Sequence, residues 1–191
     1  MRIVIDTETT GLDPTQDEIL QLSIIDADTK EVIFNELIKP KNHDAWEDAQ
    51  RVNHISPEDV ADKMTIEWYT TEIFGIFREC TEIIGYNTYF DLGFLKEIGL
   101  NPPYSCKIID VMQDFANLHG EWSDKHQGYK WIKLVEAAAA YNYNWDKAPA
   151  HDALGDVFAT LYVHEHLQRE LDELEYLREM DPEVDPRILI F

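Results

Sequence analysis

The sequence predicts an α/β fold in which helices cover a mixed β-sheet. Two observations lead to this prediction: three apolar segments of strand length follow one another in the first 38 residues, and short strand segments then alternate with helical ones. The length of 191 residues suits one domain, and no repeat or low-complexity linker divides the chain. We therefore expect a single domain that is followed by a C-terminal extension.

The first three strands are predicted over residues 2–8, 18–27 and 31–38. Apolar and β-branched side chains dominate them, and the Thr-Thr-Gly at residues 9–11 ends the first strand. The Asp-Thr-Lys at residues 28–30 is typical of a turn. We therefore expect an antiparallel meander, which Pro40 ends.

Helices and two short strands are predicted for the rest of the chain. Ser56 followed by Pro57 has the form of a helix start, with Ser as the N-cap and Pro at the first position. Gly99 is typical of the end of a helix. The predicted helices cover residues 66–77, 91–98, 110–118, 130–141 and 152–177, and the predicted strands cover residues 82–86 and 107–109.

The composition excludes several classes of protein. Hydrophobic residues make up 45% of the chain and aromatic residues 12%, which is enough for a large core and excludes wholesale disorder. No segment approaches the roughly 18 apolar residues of a membrane span. The apolar run before Asp6 is too short for a signal peptide, and Cys80 and Cys106 have no metal-ligand spacing and are too few for a disulfide scaffold. We expect a reduced, cytoplasmic protein.

The charge of the chain directs the search for a site. Its 16 basic and 38 acidic residues give a formal net charge of −22. Nucleic-acid-binding proteins normally present a basic face, because Lys and Arg displace the counterions of phosphates, and this chain cannot hold a long duplex in that way. Phosphate chemistry would therefore need cations that the protein binds, so carboxylate clusters are the features to examine.

The strongest feature is the segment Asp-Thr-Glu-Thr-Thr-Gly at residues 6–11, at the end of the first predicted strand. Side chains of a strand alternate between faces, so Asp6 and Glu8 project from one face, roughly 7 Å apart. Two adjacent carboxylates repel each other, and a cation between them lowers the cost of keeping both ionised. A lone D-x-E is more often a solvated acidic turn, but the apolar strand before this pair and the Thr-Thr-Gly after it favour a site.

Two helix starts carry further acidic residues and a histidine. Asp91 lies in the first turn of a predicted helix directly after a strand, where an acidic residue is also a common cap. His151 lies on a loop before Asp152, a predicted N-cap, and Asp156 is about one turn into that helix. A lone histidine on a loop is usually an ordinary surface residue. Beside several carboxylates, His151 becomes a candidate proton acceptor, because imidazole titrates near neutral pH.

Together these motifs resemble those of the DnaQ-like (DEDD) 3′–5′ exonucleases. The D-x-E-T-T-G opening, the N-x-x-x-D-x-x-F-L at residues 87–95 and the H-x-x-x-x-D at residues 151–156 occur in the order and spacing of that family, within residues 1–167. The Asn-His-Ile-Ser at residues 53–56 resembles a lesser signature. A His five residues before the last Asp is typical of the His subclass (DEDDh), and the chain resembles the proofreading exonuclease subunits of bacterial replicative polymerases.

The resemblance implies an RNase H-like fold, with a five-stranded mixed sheet flanked by helices. It implies that two Mg²⁺ or Mn²⁺ ions are held by Asp6, Glu8, Asp91 and Asp156, and that His151 is the general base. The expected reaction releases nucleoside 5′-monophosphates from the 3′ ends of single-stranded DNA. RNA trimming by the same residues is the first alternative, and a non-catalytic binding module or an acidic DNA mimic is the second.

The resemblance also suggests how the end of a strand is held. Residues after the first motif contact the terminal nucleotide in relatives, so Thr9 and Leu12 are candidates, with Leu12 wedged against the base. Asn87 and Phe90 are candidates for the same pocket. Turn formation and core packing are the alternative roles of these residues.

Residues 122–133 combine aromatic and basic side chains. Trp122, Tyr129 and Trp131 alternate there with Lys125, Lys130 and Lys133, against the single acid Asp124. Aromatic side chains that stack on bases, next to Lys side chains that meet phosphates, predict a platform for single-stranded nucleic acid. In the alternative interpretation, Trp131 begins the next helix and is buried.

Residues 168–191 are predicted to be an acidic helical extension with an apolar tail. Leu167, Leu171, Leu174 and Leu177 fall on one helical face, which we expect to pack while the acidic residues stay solvated. The Ile-Leu-Ile-Phe at residues 188–191 is too apolar to be left free. It folds back on the domain, mediates self-association, or docks on a polymerase or another replication protein, and the sequence does not decide between these roles.

Overall fold

A five-stranded mixed sheet forms the centre of the protein. The computed structural model describes residues 1–125, 127–145 and 150–180. The strands are β1 (Arg2–Thr9), β2 (Ile19–Asp26), β3 (Val32–Leu37), β4 (Glu82–Gly85) and β5 (Lys107–Asp110). Their order is β3-β2-β1-β4-β5, with β1, β2 and β3 antiparallel and β1, β4 and β5 parallel. The predicted meander and the predicted mixed sheet are both confirmed.

Helices cover both faces of this sheet, and a small hairpin is attached to it. The hairpin consists of β6 (Trp122–Ser123) and β7 (Gly128–Tyr129). The helices are α1 (Glu47–Asn53), α2 (Pro57–Val60), α3 (Ile66–Glu79), α4 (Thr88–Glu97), α5 (Val111–His119), α6 (Leu134–Ala140) and α7 (Ala153–Met180). Ser56 is the N-cap of α2, as predicted, and it forms a capping box with Asp59.

The side chains of β1 point alternately toward the two layers of helices. Ile3 and Ile5 belong to the apolar cluster that α3 and α4 cover, whereas Val4 belongs to the cluster that α5, α6 and α7 cover. Because side chains alternate along a strand, Asp6 and Glu8 lie on the α7 side of the sheet, and Thr7 lies on the α4 side.

The C-terminal ends of the parallel strands lie at one edge of the sheet. Val4 pairs with Ile84, and Gly85 pairs with Asp110. Asp110 also joins the segments that follow these strands, because its Oδ1 accepts hydrogen bonds from the backbone N–H of Asn87 (3.1 Å) and of Met112 (3.2 Å). Residues that follow β1, β4 and β5 therefore meet at this edge.

Three of the helices and the β6–β7 hairpin differ from the sequence prediction. Helix α1 was not predicted. Helix α4 begins three residues earlier than predicted, because Asn87 precedes it in the left-handed conformation (φ 65°). The helix predicted over residues 130–141 begins only at Leu134, because the Lys130 backbone pairs with Glu121 and the Ile132 carbonyl accepts a hydrogen bond from Tyr86 Oη (2.6 Å).

The last helix, α7, continues without a break across the predicted boundary between residues 167 and 168. Leu167 and Leu174 are buried as predicted, whereas Leu171 is exposed. The side chain of Glu170 holds this half of the helix against α5 and α6, since it accepts hydrogen bonds from Tyr141 Oη (2.5 Å) and is paired with His119 (3.0 Å). Residues 181–191, including the predicted apolar tail, lie outside the described residues.

Among the described residues, no helix combines the length and the apolar character needed to cross a bilayer.

Two glycine substitutions test the packing at the edge of the sheet. A Cβ on Gly85 would lie 2.8 Å from the Oγ1 of Thr88, which is fully buried and bonded to the Ile109 carbonyl. Gly85→Ala should therefore lower the free energy of unfolding by about 1–3 kcal/mol.

A Cβ on Gly75, at an exposed position of α3, would meet no atom within 4 Å. Gly75→Ala should therefore raise the free energy of unfolding by up to about 1 kcal/mol. Urea unfolding measures both changes; equal effects of the two substitutions would contradict this packing.

Candidate metal centre

Three carboxylates converge at the C-terminal end of β1. Asp6 and Glu8 come from the α7 side of that strand, and Asp156 comes from the first turn of α7. One oxygen of each residue lies within 4.8 Å of an oxygen of the other two, and all three side chains are partly buried. The sequence predicted that Asp6 and Glu8 share a face, and the structure brings Asp156 to that face.

The fourth predicted ligand, Asp91, is close to this group but is held separately. It is buried in α4, and its Oδ1 accepts hydrogen bonds from the backbone N–H (2.9 Å) and the Oγ1 (2.7 Å) of Thr7. Asp91 is not part of the group whose oxygens lie within 4.8 Å of one another. Its charge nevertheless acts on Asp6 and Glu8, because repulsion from Asp91 contributes to the raised pKa of each.

Burial and repulsion from neighbouring carboxylates raise the pKa of Asp6, Glu8, Asp91 and Asp156. Burial is the largest cause for all four residues. The pKa of Asp6 is well above its ordinary value, with further repulsion from Asp91, Asp156 and Glu8. The pKa values of Glu8, Asp91 and Asp156 are raised to about 8, 7 and 6, respectively. Without a compensating cation, the site therefore takes up protons near neutral pH.

His151 lies directly before α7, with an exposed side chain. Its backbone is left-handed (φ 65°), and its N–H lies 3.3 Å from Asp156 Oδ1. The next residue, Asp152, adds a fifth negative charge that contributes to the raised pKa of Asp6, Glu8 and Asp156. Asp152 Oδ1 accepts hydrogen bonds from Gln21 Nε2 (2.8 Å) and from the backbone N–H of Leu154 (3.3 Å), which agrees with its predicted role as N-cap.

Asn53 holds the end of β1 in place, a role that was not predicted. Its buried side chain donates hydrogen bonds to the Thr9 carbonyl (3.2 Å) and to the carboxylate of Glu8, and its Oδ1 accepts one from the Ile55 N–H (3.1 Å). The amide is thus shared between β1 and the segment after α1. The only sequence signal was the Asn-His-Ile-Ser resemblance, which marks the segment without indicating a contact to Glu8.

The four residues predicted to hold the strand end have different surroundings. Thr9 is buried, and its Oγ1 donates a hydrogen bond to the Gly11 carbonyl (2.6 Å). Leu12 is 84% exposed at the tip of the loop after β1. Asn87 precedes α4, and Phe90 packs against Phe94 with ring centroids 5.0 Å apart. The exposed Leu12 is therefore the most accessible of the four.

The aromatic residues of segment 122–133 are on the surface. Trp122 and Tyr129 lie opposite each other in the β6–β7 hairpin, with ring centroids 5.4 Å apart. Trp131 is 70% exposed and precedes α6, so the alternative prediction of a buried Trp131 in that helix is wrong. Lys125 is exposed, and Lys130 is paired with Glu121 (2.7 Å).

The donor atoms of the cluster suit a hard divalent cation. Asp6, Glu8 and Asp156 offer only carboxylate oxygens, which Mg²⁺ and Mn²⁺ prefer over softer donors. The raised pKa values show that the fold holds more negative charge here than its own groups neutralise. The residues present therefore fit divalent cations of this kind.

The strand order and the acidic cluster at the end of β1 are those expected of a nuclease of RNase H-like fold. The exonuclease family model RNase_T matches residues 3–164, and the chain belongs to this family.

Relatives of known sequence agree with this assignment. The chain is 32% identical over 177 residues to the uncharacterized exonuclease CP81 of Escherichia phage 186, and the match covers 88% of each chain. It is also 32% identical over 111 residues to the DNA polymerase III subunit epsilon of Treponema pallidum, over 56% of this chain and 51% of that one. A PolC-type DNA polymerase III of Staphylococcus aureus is 26% identical over 92% of this chain, which spans only 12% of that protein.

Solved structures show the same fold. Escherichia coli exonuclease I in complex with a dT13 oligonucleotide superposes with a TM-score of 0.69 and 24% identity, over 90% of this chain and 42% of that one. Exonuclease X in complex with 5′ overhanging duplex DNA superposes with a TM-score of 0.59 and 20% identity, over 86% of this chain and 90% of that one.

The electrostatics of the cluster predict how stability depends on pH in the presence of a chelator. Groups whose pKa is raised by folding bind more protons in the folded state. Their contribution to stability is full below their unfolded pKa values of 3.8 for Asp and 4.5 for Glu, and it is lost as the pH rises through their folded values. For Glu8 that loss extends to about pH 8. Glu8→Gln should therefore lose less stability than the wild type between pH 5 and about pH 8.

Urea unfolding at a series of pH values measures this difference. Glu58→Gln, at an exposed position of α2, is the matched control and should follow the wild type. A wild-type profile that is parallel to the profile of Glu8→Gln would show that the Glu8 carboxylate is not strained by its neighbours.

Proposed function

We propose that the chain is a metal-dependent 3′–5′ exonuclease that hydrolyses single-stranded DNA ends to nucleoside 5′-monophosphates. The observation that carries this proposal is the meeting of Asp6, Glu8 and Asp156 within 4.8 Å at the end of β1, with His151 directly before the helix of Asp156. A carboxylate cluster beside a candidate proton acceptor is the arrangement that metal-assisted phosphodiester hydrolysis requires.

In this proposal Asp6, Glu8 and Asp156 would hold two Mg²⁺ or Mn²⁺ ions, and Asp91 would complete the set. Such ions, when bound, make water a better nucleophile and stabilise negative charge on the attacking and leaving oxygens of the phosphate. Thr7 orients Asp91 through two hydrogen bonds, and Asn53 orients Glu8. These two contacts fix the carboxylates before any substrate binds.

His151 accepts the proton of the attacking water in this reaction. Its exposed side chain lies at the start of α7, and its backbone contacts Asp156 at 3.3 Å, so the ring is attached next to the cluster without being buried in it. Histidine is a common proton acceptor in reactions near neutral pH. The leaving 3′ oxygen remains on the shortened strand, and the released nucleotide keeps the phosphate at its 5′ position.

The relatives favour DNA as the substrate. The epsilon and PolC relatives are DNA polymerase III components by name, and the titles of the exonuclease I and X structures name DNA ligands. Leu12, which is exposed in the loop after β1, offers an apolar side chain for the terminal base. A 3′ end is favoured by the resemblance of the three motifs to those of the 3′–5′ exonucleases.

One assay tests the class of reaction, the sugar and the polarity together. Single-stranded DNA and RNA of one sequence, labelled at the 5′ end, are incubated with the protein and Mn²⁺ or with a chelator. We expect a ladder of shortened 5′-labelled DNA products with Mn²⁺ and none with chelator. Asp156→Asn should abolish the ladder, and Asp172→Asn, at an exposed position of the same helix, should leave it unchanged.

The outcomes of this assay are distinct. Immediate release of a labelled mononucleotide from 5′-labelled DNA would show the opposite polarity. Faster shortening of RNA than of DNA would replace the substrate. Intact DNA and RNA under all conditions would favour a non-catalytic module.

A substitution of His151 tests the role of the general base. His151→Asn removes the imidazole and keeps a residue that tolerates the left-handed backbone found here. We expect kcat to fall by about 10²–10⁴-fold, while the Kd for single-stranded DNA and the free energy of unfolding stay unchanged. An unaltered kcat would refute the role of His151.

A further inference from the structure

The β6–β7 hairpin and the segment that leads to α6 form an aromatic surface that the proposed reaction does not use. We name this surface, made of Trp122, Tyr129 and Trp131, the hairpin platform. Trp122 is 53% exposed, Tyr129 42% and Trp131 70%. Large aromatic side chains are seldom exposed in such a group unless they bind something.

The backbone places Trp122 and Tyr129 on one side of the hairpin, and Trp131 follows them closely in the chain. Trp122 and Tyr129 are cross-strand partners, so they share a face of the hairpin, and their rings meet edge to face. The Lys130 N–H bonds to the Glu121 carbonyl (2.9 Å), which extends the ladder by one pair. Trp131 lies two residues after Tyr129 and lines the same groove as that residue. A groove of about 530 Å³ lies along this segment, and Gly128, Tyr129, Lys130 and Trp131 line it.

The platform is anchored close to the metal centre. Tyr86 directly follows β4, and its Oη donates a hydrogen bond to the carbonyl of Ile132, next to Trp131 (2.6 Å). The register that pairs Val4 with Ile84 places Tyr86 level with Asp6 on the neighbouring strand and on the same face of the sheet. Neighbouring strands are about 4.8 Å apart, so a nucleic acid that ends at the acidic cluster reaches the platform within a few nucleotides.

Charge distinguishes the kind of ligand. The chain as a whole carries −22, whereas residues 121–133 contain three Lys and two acidic residues. Glu121 neutralises Lys130, and the carboxylate of Asp124 accepts a hydrogen bond from the Trp122 indole (3.0 Å). Lys125 and Lys133 have no ion-pair partner within residues 1–125, 127–145 and 150–180. Unpaired Lys beside exposed rings suits a polyanion with flat bases better than it suits an apolar or acidic protein surface.

We infer that the hairpin platform binds the single-stranded DNA that precedes the terminal nucleotide, by stacking bases on Trp131 and Tyr129. The inference rests on the proposed function, since that function places a 3′ end at Asp6, Glu8 and Asp156. Lys125 and Lys133 contact phosphates, whereas Lys130 stabilises the hairpin through its ion pair with Glu121. The platform thereby supplies affinity for longer strands that the acidic cluster, which repels phosphates without its cations, does not supply.

Equilibrium binding tests the platform independently of hydrolysis. The probe is a fluorescein-labelled oligothymidylate of about 12 nucleotides, and anisotropy is measured in chelator so that no cleavage occurs. Trp131→Ala should raise the Kd roughly 10- to 100-fold, and Trp131→Phe, which keeps a ring, should raise it much less. Trp68→Ala is the matched control, because Trp68 is also 70% exposed but lies on α3, against the other face of the sheet. Loss of Lys133 in Lys133→Ala should flatten the dependence of log Kd on log salt by about 0.7.

Hydrolysis separates failure of the platform from failure of the proposed function. With Mn²⁺, Trp131→Ala should raise the KM for the long strand and leave both its kcat and the hydrolysis of a dinucleotide unchanged. If the wild type cleaves neither substrate, the proposed function is wrong. The Kd values measured by anisotropy still test the platform in that case. Equal Kd values for the wild type and Trp131→Ala overturn the platform, even if cleavage is robust. If Trp131→Ala changes the oligomeric state in sedimentation but leaves the Kd unchanged, the surface is a contact between protein chains. This result would also overturn the platform.

Discussion

The repulsion between carboxylates that the fold forces together is the interaction on which the functional architecture depends. One carboxylate oxygen of each of Asp6, Glu8 and Asp156 lies within 4.8 Å of the other two, and the three side chains are partly buried. Repulsion from Asp91 and Asp152 also raises the pKa of Asp6. Such an arrangement is unfavourable, because burial and like charges both oppose ionisation. It persists because the surrounding structure is stable enough to hold it, as is common at sites that bind cations.

Neutral hydrogen-bond donors help to hold these carboxylates in place. Thr7 uses its N–H and its hydroxyl for Asp91, Asn53 spans Glu8 and the Thr9 carbonyl, and Gln21 reaches Asp152. None of these donors carries a charge, so they orient the carboxylates without neutralising them. The negative charge of the cluster is therefore available to cations. The helix α7 contributes as well, since Asp156 is in its first turn, where the helix dipole favours an acid.

The local parts of the site could be predicted from the sequence, and the long-range parts could not. The pleat of a strand is enough to put Asp6 and Glu8 on one face, and a Pro-containing loop before an apolar helix is enough to place Asp156 in a first turn. The separate position of Asp91 depends on Thr7 facing α4, which follows only when the layer on each side of β1 is known. The contact of Asn53 with Glu8 joins residues 45 positions apart, and no local pattern reports it. The hairpin was missed for a similar reason: each of its strands has two residues, and Tyr86, which directly follows β4, holds the segment that comes after the hairpin.

The carboxylate cluster is expected to bind divalent cations, and manganese is a probe whose position can be measured. Crystals soaked in Mn²⁺ and measured at the manganese absorption edge would reveal bound ions by their anomalous scattering alone. We expect anomalous density at Asp6, Glu8 and Asp156, and we expect its loss there in Asp156→Asn crystals. Manganese found only elsewhere on this acidic surface, with the three carboxylates free of metal in the wild type, would contradict this expectation.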